Sequence, residues 1–144
     1  MATGGADPRV RTMDTTTPAQ AFLDQLSARN YEALAATLAP GATARMLLPR
    51  RVDEASGADA IARRFEGWFG GAESFTVLST GSQPVGGRWL LRWRFHLCRD
   101  GQTNEVIEQV AFADVGPEGV SRLDLVCSGF LPESAAVDAC SVLG

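Results

Sequence analysis

The sequence feature that most constrains the fold is a pair of alternating apolar–polar segments, residues 88–98 and 103–114, on either side of Asp100-Gly101. A period of two is typical of a β-strand with one buried face. An Asp-Gly pair between two such segments predicts a β-hairpin, because a type I′ turn requires positive φ at both central residues. The buried face of the first strand is predicted to consist of Trp89, Leu91, Trp93, Phe95 and Leu97.

The composition narrows the function classes. The 144 residues indicate one domain, and the formal net charge of −4 opposes a nucleic-acid binder, which needs a basic surface. All 13 basic residues are arginine, which excludes a lysine Schiff base and a P-loop lysine. No signal-peptide pattern is present, and no apolar segment approaches the roughly 20 residues of a membrane span. We therefore predict a cytoplasmic protein without a membrane partner.

Metal and cofactor motifs are also missing. Cys98, Cys127 and Cys140 have no CxxC spacing, so they indicate neither a zinc site nor a disulfide framework. The sequence contains no nucleotide-binding or flavin-binding motif. We predict that the protein uses no metal and no cofactor.

Three helices are predicted before the hairpin. Thr17 suits an N-cap with Gln20 three residues later, and Asn30 suits the N-cap of a second, short helix that Pro40-Gly41 ends. A third helix is predicted from Ala58 to Phe69, because its apolar residues recur on one side.

Strands dominate the rest of the chain. Residues 42–48 are predicted as a short strand, residues 49–57 as a charged loop, and residues 74–130 as strands and turns. Helices followed by strands predict an α+β fold, a cone in which a curved antiparallel or mixed sheet of about four to six strands covers three helices. We expect this domain to span residues 16–132, between a disordered leader, residues 1–15, and a flexible tail, residues 133–144.

This order of elements resembles the nuclear transport factor 2-like superfamily, which includes the SnoaL-like polyketide cyclases. The resemblance is carried by NYEAL at residues 30–34, LAPGAT at residues 38–43, GADAI at residues 57–61, and the hairpin. It implies a cone with an apolar cavity, and a homodimer formed through the convex face of the sheet. This fold supports enzymes and binding modules alike, so the resemblance alone does not specify a reaction.

Two known chemistries of the superfamily do not fit the chain. The steroid isomerase pattern places its three catalytic positions on Phe22, Met46 and Val110, whose side chains can neither transfer a proton nor donate a hydrogen bond. The Asp–Arg–Asp pattern of the epoxide hydrolases is incomplete, because Arg92 and Arg94 have no matching acidic partners.

The register of the hairpin decides where Glu108 lies. With a two-residue turn, paired residue numbers sum to 201, so Glu108 faces Trp93 on the apolar side and Val110 faces Leu91. Burial would then raise the pKa of Glu108 toward the range of a general acid or base. With a one-residue bulge the sum is 202, and Glu108 instead pairs with Arg94 on the outer face.

Several other side chains are weaker candidates for roles in the site. Asp53 is a second candidate acid or base, although loop carboxylates are usually solvated. His96 lies on the same face of its strand as Arg92 and Arg94, which favours a position at the surface or in a dimer interface. Cys127 is read as a small apolar residue. The predicted substrate-binding lining is Phe22, Met46, Phe65, Trp68, Trp89, Trp93, Phe95, Val110, Phe112, Leu125 and Cys127.

Two functions remain open from the sequence. The first is a cofactor-independent SnoaL-like enzyme that performs cyclisation, isomerisation or dehydration on an apolar biosynthetic intermediate, with Glu108 and Asp53 as its acid/base groups. The second is a non-catalytic binding or accessory module with the same pocket. For the homodimer, we predict that Arg88, Arg92 and Arg94 alternate with Ile107, Gln109 and Ala111 on the convex face.

Overall fold

The computed structural model describes residues 16–99, 101 and 104–133 of the chain. The predictions for the leader and for the tail beyond residue 133 lie outside these residues. The helices are α1 Pro18–Ser27, α2 Tyr31–Ala36 and α3 Ala58–Phe69. The strands are β1 Leu38–Leu48, β2 Arg51–Ser56, β3 Ser74–Val85, β4 Arg88–Cys98, β5 Asn104–Gly116, β6 Gly119–Cys127 and β7 Leu131–Pro132.

The strands form one mixed, curved and unclosed sheet. Its order is β2-β1-β6-β5-β4-β3, and β7 pairs with β5. Neighbouring strands are antiparallel except β1 and β6, which are parallel. The helices supply buried apolar side chains to one core with the inner face of the sheet. The predicted α+β fold is therefore confirmed.

Local sequence accounts for the helix boundaries. The hydroxyl of Thr17 accepts a hydrogen bond from the backbone N–H of Gln20, and the side chain of Asn30 accepts one from the N–H of Ala33. These contacts satisfy backbone donors that the first turn of a helix leaves unpaired. Helix α3 begins and ends at the predicted residues, Ala58 and Phe69.

The region after α2 differs from the prediction. The short helix ends at Ala36, and Pro40-Gly41 lies inside β1. The pairing of β1 with β6 shifts between Leu38 and Thr43, and this irregularity accommodates a proline that cannot donate to the ladder. The predicted charged loop contains strand β2, which lies at the edge of the sheet, where charged side chains are common.

The central hairpin has the second of the two registers that the sequence allows. Trp93 pairs with Gln109 and Arg94 pairs with Glu108, so the paired residue numbers sum to 202. The prediction that Glu108 faces Trp93 is therefore wrong. Ile107, Gln109 and Ala111 are buried on the inner face, so their predicted place on the convex face is also wrong.

An aromatic cluster fills the space between the helices and the hairpin. Phe22 of α1 and Phe65 of α3 lie 5.7 Å apart between ring centroids, and each contacts Trp93 at about 6 Å. Phe95 continues the cluster toward Phe69, 5.2 Å away. The inside of the cone is thus packed with side chains at this level.

Arg29 joins the helices to the sheet. Its Nη1 donates hydrogen bonds to the carbonyl of Phe69, the last residue of α3, at 2.9 Å and to that of Ala72, just after the helix, at 3.1 Å. The guanidinium also lies 4.7 Å from the ring centroid of Phe75 in β3. Arg29 adopts a left-handed φ of 56°, which is uncommon for a residue other than glycine.

The two cysteines within the described residues differ in their bonding. Cys98 is buried and disulfide-bonded, so the expectation of no disulfide is wrong at this residue, while Cys127 is a free thiol.

None of the helices in the described part of the chain has the length and apolar character needed to cross a membrane.

Candidate functional site

A cavity of about 520 Å³ opens at one end of the cone, and we call it the mouth pocket. It lies between the β1–β2 turn, helix α3 and the adjacent ends of β4, β5 and β6. Its size is in the range of small-molecule sites. The residues that line it are Leu48, Pro49, Arg50, Arg51, Trp68, Arg99, Glu105, Ile107, Cys127, Gly129 and Phe130.

The register of the hairpin places Glu105 in this pocket. Odd-numbered residues of β5 face inward, so Glu105 lies on the inner face of the sheet, like Ile107 and Gln109. The side chain of Glu105 is only 16% exposed. Among the described residues, it is the only carboxylate that lines the mouth pocket.

Arg99 holds the Glu105 carboxylate in a fixed orientation. Its Nε donates to Oε1 at 2.7 Å and its Nη2 donates to Oε2 at 3.0 Å, which is the two-point geometry that suits a guanidinium and a carboxylate. The guanidinium also lies 4.0 Å from the ring centroid of Phe130. Phe130, Arg99 and Glu105 therefore form one stack along a wall of the pocket.

The remaining walls are largely apolar. Trp68 projects from α3 and contacts Phe65 at 5.2 Å, so the pocket wall is continuous with the aromatic core. Ile107, Leu48 and Cys127 complete the apolar lining. Two other cavities, of about 680 and 360 Å³, lie along α2 and α3, where mostly small or charged residues line them.

Asp53 lies near the mouth pocket but is bound to another group. It pairs with Met46 on the inner face of the sheet, and Arg64 of α3 donates to its two oxygens at 2.6 and 3.1 Å. The hydrogen bonds from Arg64 are the main cause that lowers the pKa of Asp53 below its ordinary value of 3.8. Asp53 is therefore an anchored, charged partner of α3.

The predicted substrate-binding residues divide into three groups. Trp68 and Cys127 line the mouth pocket, and Trp89 is half-buried against the core. Val110 pairs with Arg92, and Phe112 is 38% exposed, so the prediction that these two face inward is wrong. The members buried within the core are Phe22, Met46, Phe65, Trp93, Phe95 and Leu125.

Other titratable groups lie away from the mouth pocket. Glu108 is exposed on the outer face opposite Arg94, and His96 pairs with Thr76 and Val106 on that face. Burial raises the pKa of Tyr31 to about 12, and its hydroxyl has no hydrogen-bond partner among the described residues. Within the described ranges, no group of three His, Cys, Asp or Glu side chains could hold a metal ion.

Sequence reasoning missed Glu105, Arg99, Arg50 and Arg51. The alternation of β5 contains the signal for Glu105, because this residue shares the parity of Ile107 and Ala111. The alternation alone, however, does not say whether the odd-numbered or the even-numbered residues of β5 face inward. The charged sequence of residues 49–57 predicts a loop, but Arg50 lies in the turn between β1 and β2 and Arg51 is the first residue of β2. Both residues line the pocket.

Solved structures share this architecture. A proposed polyketide cyclase from Xanthomonas campestris pv. campestris has a TM-score of 0.59 and 17% identity, with 76% of this chain and 86% of that chain covered. A proposed ketosteroid isomerase from Kribbella flavida has a TM-score of 0.53 and 23% identity, with 76% and 74% covered. An epoxide hydrolase of the LEH-like type from M. tuberculosis has a TM-score of 0.55 and 12% identity, with 88% of each chain covered.

These likenesses show the fold, an α+β cone of the nuclear transport factor 2-like type. The sequence model of the SnoaL-like domain family matches residues 19–119. The chain therefore belongs to the SnoaL-like domain family. None of the curated protein sequences compared with the chain matches it.

Proposed function

We propose that the protein is a small cofactor-independent SnoaL-like enzyme that moves protons on an apolar biosynthetic intermediate, in a cyclisation, isomerisation or dehydration. The observation that carries this proposal is the position of Glu105, a largely buried carboxylate that lines the mouth pocket. Enzymes that need only a positioned acid or base can work with such a group.

Glu105 serves as the proton-transfer group, and Arg99 is its positioning residue. Each carboxylate oxygen has two lone-pair sites, so both oxygens can accept from Arg99 and still accept a proton from a substrate. The guanidinium fixes the carboxylate relative to the pocket, which reduces the cost of orienting it for reaction.

The pocket walls support an apolar substrate. A flat ligand can pack against Trp68, Ile107 and Phe130 and thereby remove apolar surface from water. Such a ligand would bring its reacting C–H bond beside Glu105, which lies two residues before Ile107 on the same face of β5.

A second candidate function is a non-catalytic binding module with the same pocket. It is favoured by Phe22 and Met46, which occupy two positions where the steroid isomerase pattern requires catalytic groups and are fully buried in the core. A family member can keep the pocket and lose the chemistry, because fold and function are separable.

Solvent deuterium exchange separates the two functions. Enolisable aromatic ketones, such as 2-tetralone and carboxylated analogues, would be followed by NMR in D₂O with the wild-type protein and with Glu105→Gln. We expect accelerated exchange that falls about 100-fold or more in Glu105→Gln, while ketone affinity changes by less than about threefold. Ketones that bind without faster exchange would favour the binding module.

The outer face of the sheet supports a proposed homodimer. Leu47 pairs with both Val52 and Val126, and Val126 pairs with Val110, so these four residues form a partly exposed apolar strip across four strands. Outside this strip, Arg94 pairs with Glu108. A second copy related by a two-fold axis would meet the strip with the same strip and could match charges of both signs.

A further inference from the structure

The lining of the mouth pocket carries more positive than negative side chains. Arg50, Arg51 and Arg99 line it, and Glu105 is the only carboxylate among its described lining residues. This local excess is opposite in sign to the formal net charge of the chain, −4. It is therefore a specific feature of this end of the cone.

Arg50 and Arg51 are neutralised less completely than Arg99. Arg99 is neutralised by its two hydrogen bonds to Glu105. Arg51 lies 4.0 Å from Asp53, but that carboxylate already accepts two shorter hydrogen bonds from Arg64. The side chain of Arg50 makes no hydrogen bond or ion pair with any residue of the described chain.

Both arginines are exposed, the Arg51 side chain at 71%, so a ligand in the pocket can reach their guanidinium groups. They stand beside the apolar wall formed by Leu48, Trp68 and Phe130, where a bound ligand would exclude solvent. Opposite charges attract more strongly where the effective dielectric constant is lower. A guanidinium can also donate two parallel hydrogen bonds to one carboxylate or other oxyanion.

From this arrangement, and given that the mouth pocket is the ligand site of the proposed function, we infer that it selects apolar aromatic ligands with an anionic group. The aromatic body packs on Trp68 and Phe130, and the anion binds Arg50 and Arg51 at the rim. Glu105, already neutralised by Arg99, does not repel such a ligand strongly. The preferred ligands are aromatic or polycyclic acids.

A matched pair of fluorescent probes tests this inference. 8-Anilinonaphthalene-1-sulfonate carries an anion, and N-phenyl-1-naphthylamine has the same rings without it. We expect the wild-type protein to bind the sulfonate more tightly. The double variant Arg50→Gln/Arg51→Gln should lose about tenfold in sulfonate affinity, and its affinity for the neutral amine should change by less than about twofold.

The control is Arg45→Gln/Arg63→Gln, which removes the same net charge from two exposed arginines outside the mouth pocket. It should leave the affinity of both probes unchanged. Cys127→Trp, which fills the pocket, should weaken binding of both probes and so locate them there. Circular dichroism would verify that each variant is folded.

The possible failures are distinguishable. Equal loss of sulfonate affinity in the two double variants would overturn the inference, since only general charge would then matter. Binding of both probes that is unaffected by Arg50→Gln/Arg51→Gln would also overturn it, while leaving a pocket that binds apolar ligands. If neither the sulfonate nor the neutral amine binds, both this inference and the proposed function are overturned.

Discussion

The indole Nε1–H of Trp93 donates a 2.6 Å hydrogen bond to Oε1 of Gln109 across the central hairpin. Both side chains are buried, and Nε2 of Gln109 has no hydrogen-bond partner in the part of the chain that the structure describes. This contact pairs the one polar inward residue in the middle of β5 with the largest buried side chain of β4. It therefore favours the register that also directs Glu105 into the mouth pocket.

Gln109→Leu should destabilise the fold, because it leaves the buried Trp93 N–H without an acceptor. We expect a loss of about 1–2 kcal/mol in the free energy of unfolding, since removal of the unpaired Nε2 offsets part of the cost. Urea unfolding measures this change. Glu108→Leu, on the exposed neighbouring position, should change stability by less than about 0.5 kcal/mol. Equal stability of Gln109→Leu and wild type would show that the contact is not stabilising.

Arg29→Ala should weaken the attachment of α3 to the sheet. The substitution removes hydrogen bonds to the carbonyls of Phe69 and Ala72, and we expect it to cost about 2–3 kcal/mol, because the donor is charged. Thermal unfolding of this variant can be compared with Arg63→Ala, which removes an exposed arginine from α3. Similar midpoints for the two variants would contradict a specific role for Arg29.

Asp53 should make the fold sensitive to acid. Because Arg64 lowers the pKa of the folded Asp53 below its ordinary value of 3.8, the unfolded chain binds a proton more readily than the folded chain. The stabilisation is therefore complete above about pH 5 and is lost as the pH falls through the folded pKa. The stability difference between wild type and Asp53→Asn should shrink below about pH 4.

The matched control for this pH series is Glu118→Gln, an exposed turn residue without an ion pair in the described chain. Its stability difference from wild type should not follow the same acid profile. A difference between wild type and Asp53→Asn that is constant from pH 6 to pH 2 would show that the pair with Arg64 contributes nothing.

Val126→Arg should convert the proposed dimer to a monomer. The substitution places a charge at the centre of the apolar strip, where Val126 is 55% exposed in the isolated chain. Light scattering at micromolar concentration should give the mass of a dimer for wild type and of a monomer for this variant. Val85→Arg, outside the strip, should remain dimeric. A monomeric wild type would reject the interface.

Much of the fold was predictable because it depends on local and strongly periodic signals. The apolar residues on one side of α3 recur over several helical turns, and the alternation from Trp89 to Leu97 recurs along a whole strand. A single exception therefore does not obscure either pattern. Strand β2 was missed because its charged sequence is typical of a loop, and only its pairing with β1 makes it a strand.

The candidate site was less predictable, because it depends on a shift of one residue. A one-residue slip moves every side chain of a strand to the other face, so the turn after Cys98 decides between Glu108 and Glu105. Arg99, Phe130 and Arg51 then come together only through tertiary structure. No residue spacing in the sequence predicts that these three side chains lie close together.

The most direct test of the account compares Glu105→Gln with Glu108→Gln in the deuterium-exchange assay. The two substitutions are chemically identical and lie three residues apart on opposite faces of β5. We predict that Glu105→Gln lowers the exchange rate about 100-fold or more, while Glu108→Gln retains the wild-type rate within about twofold. Loss of exchange in Glu108→Gln, with Glu105→Gln unaffected, would contradict the assignment of the mouth pocket as the catalytic site.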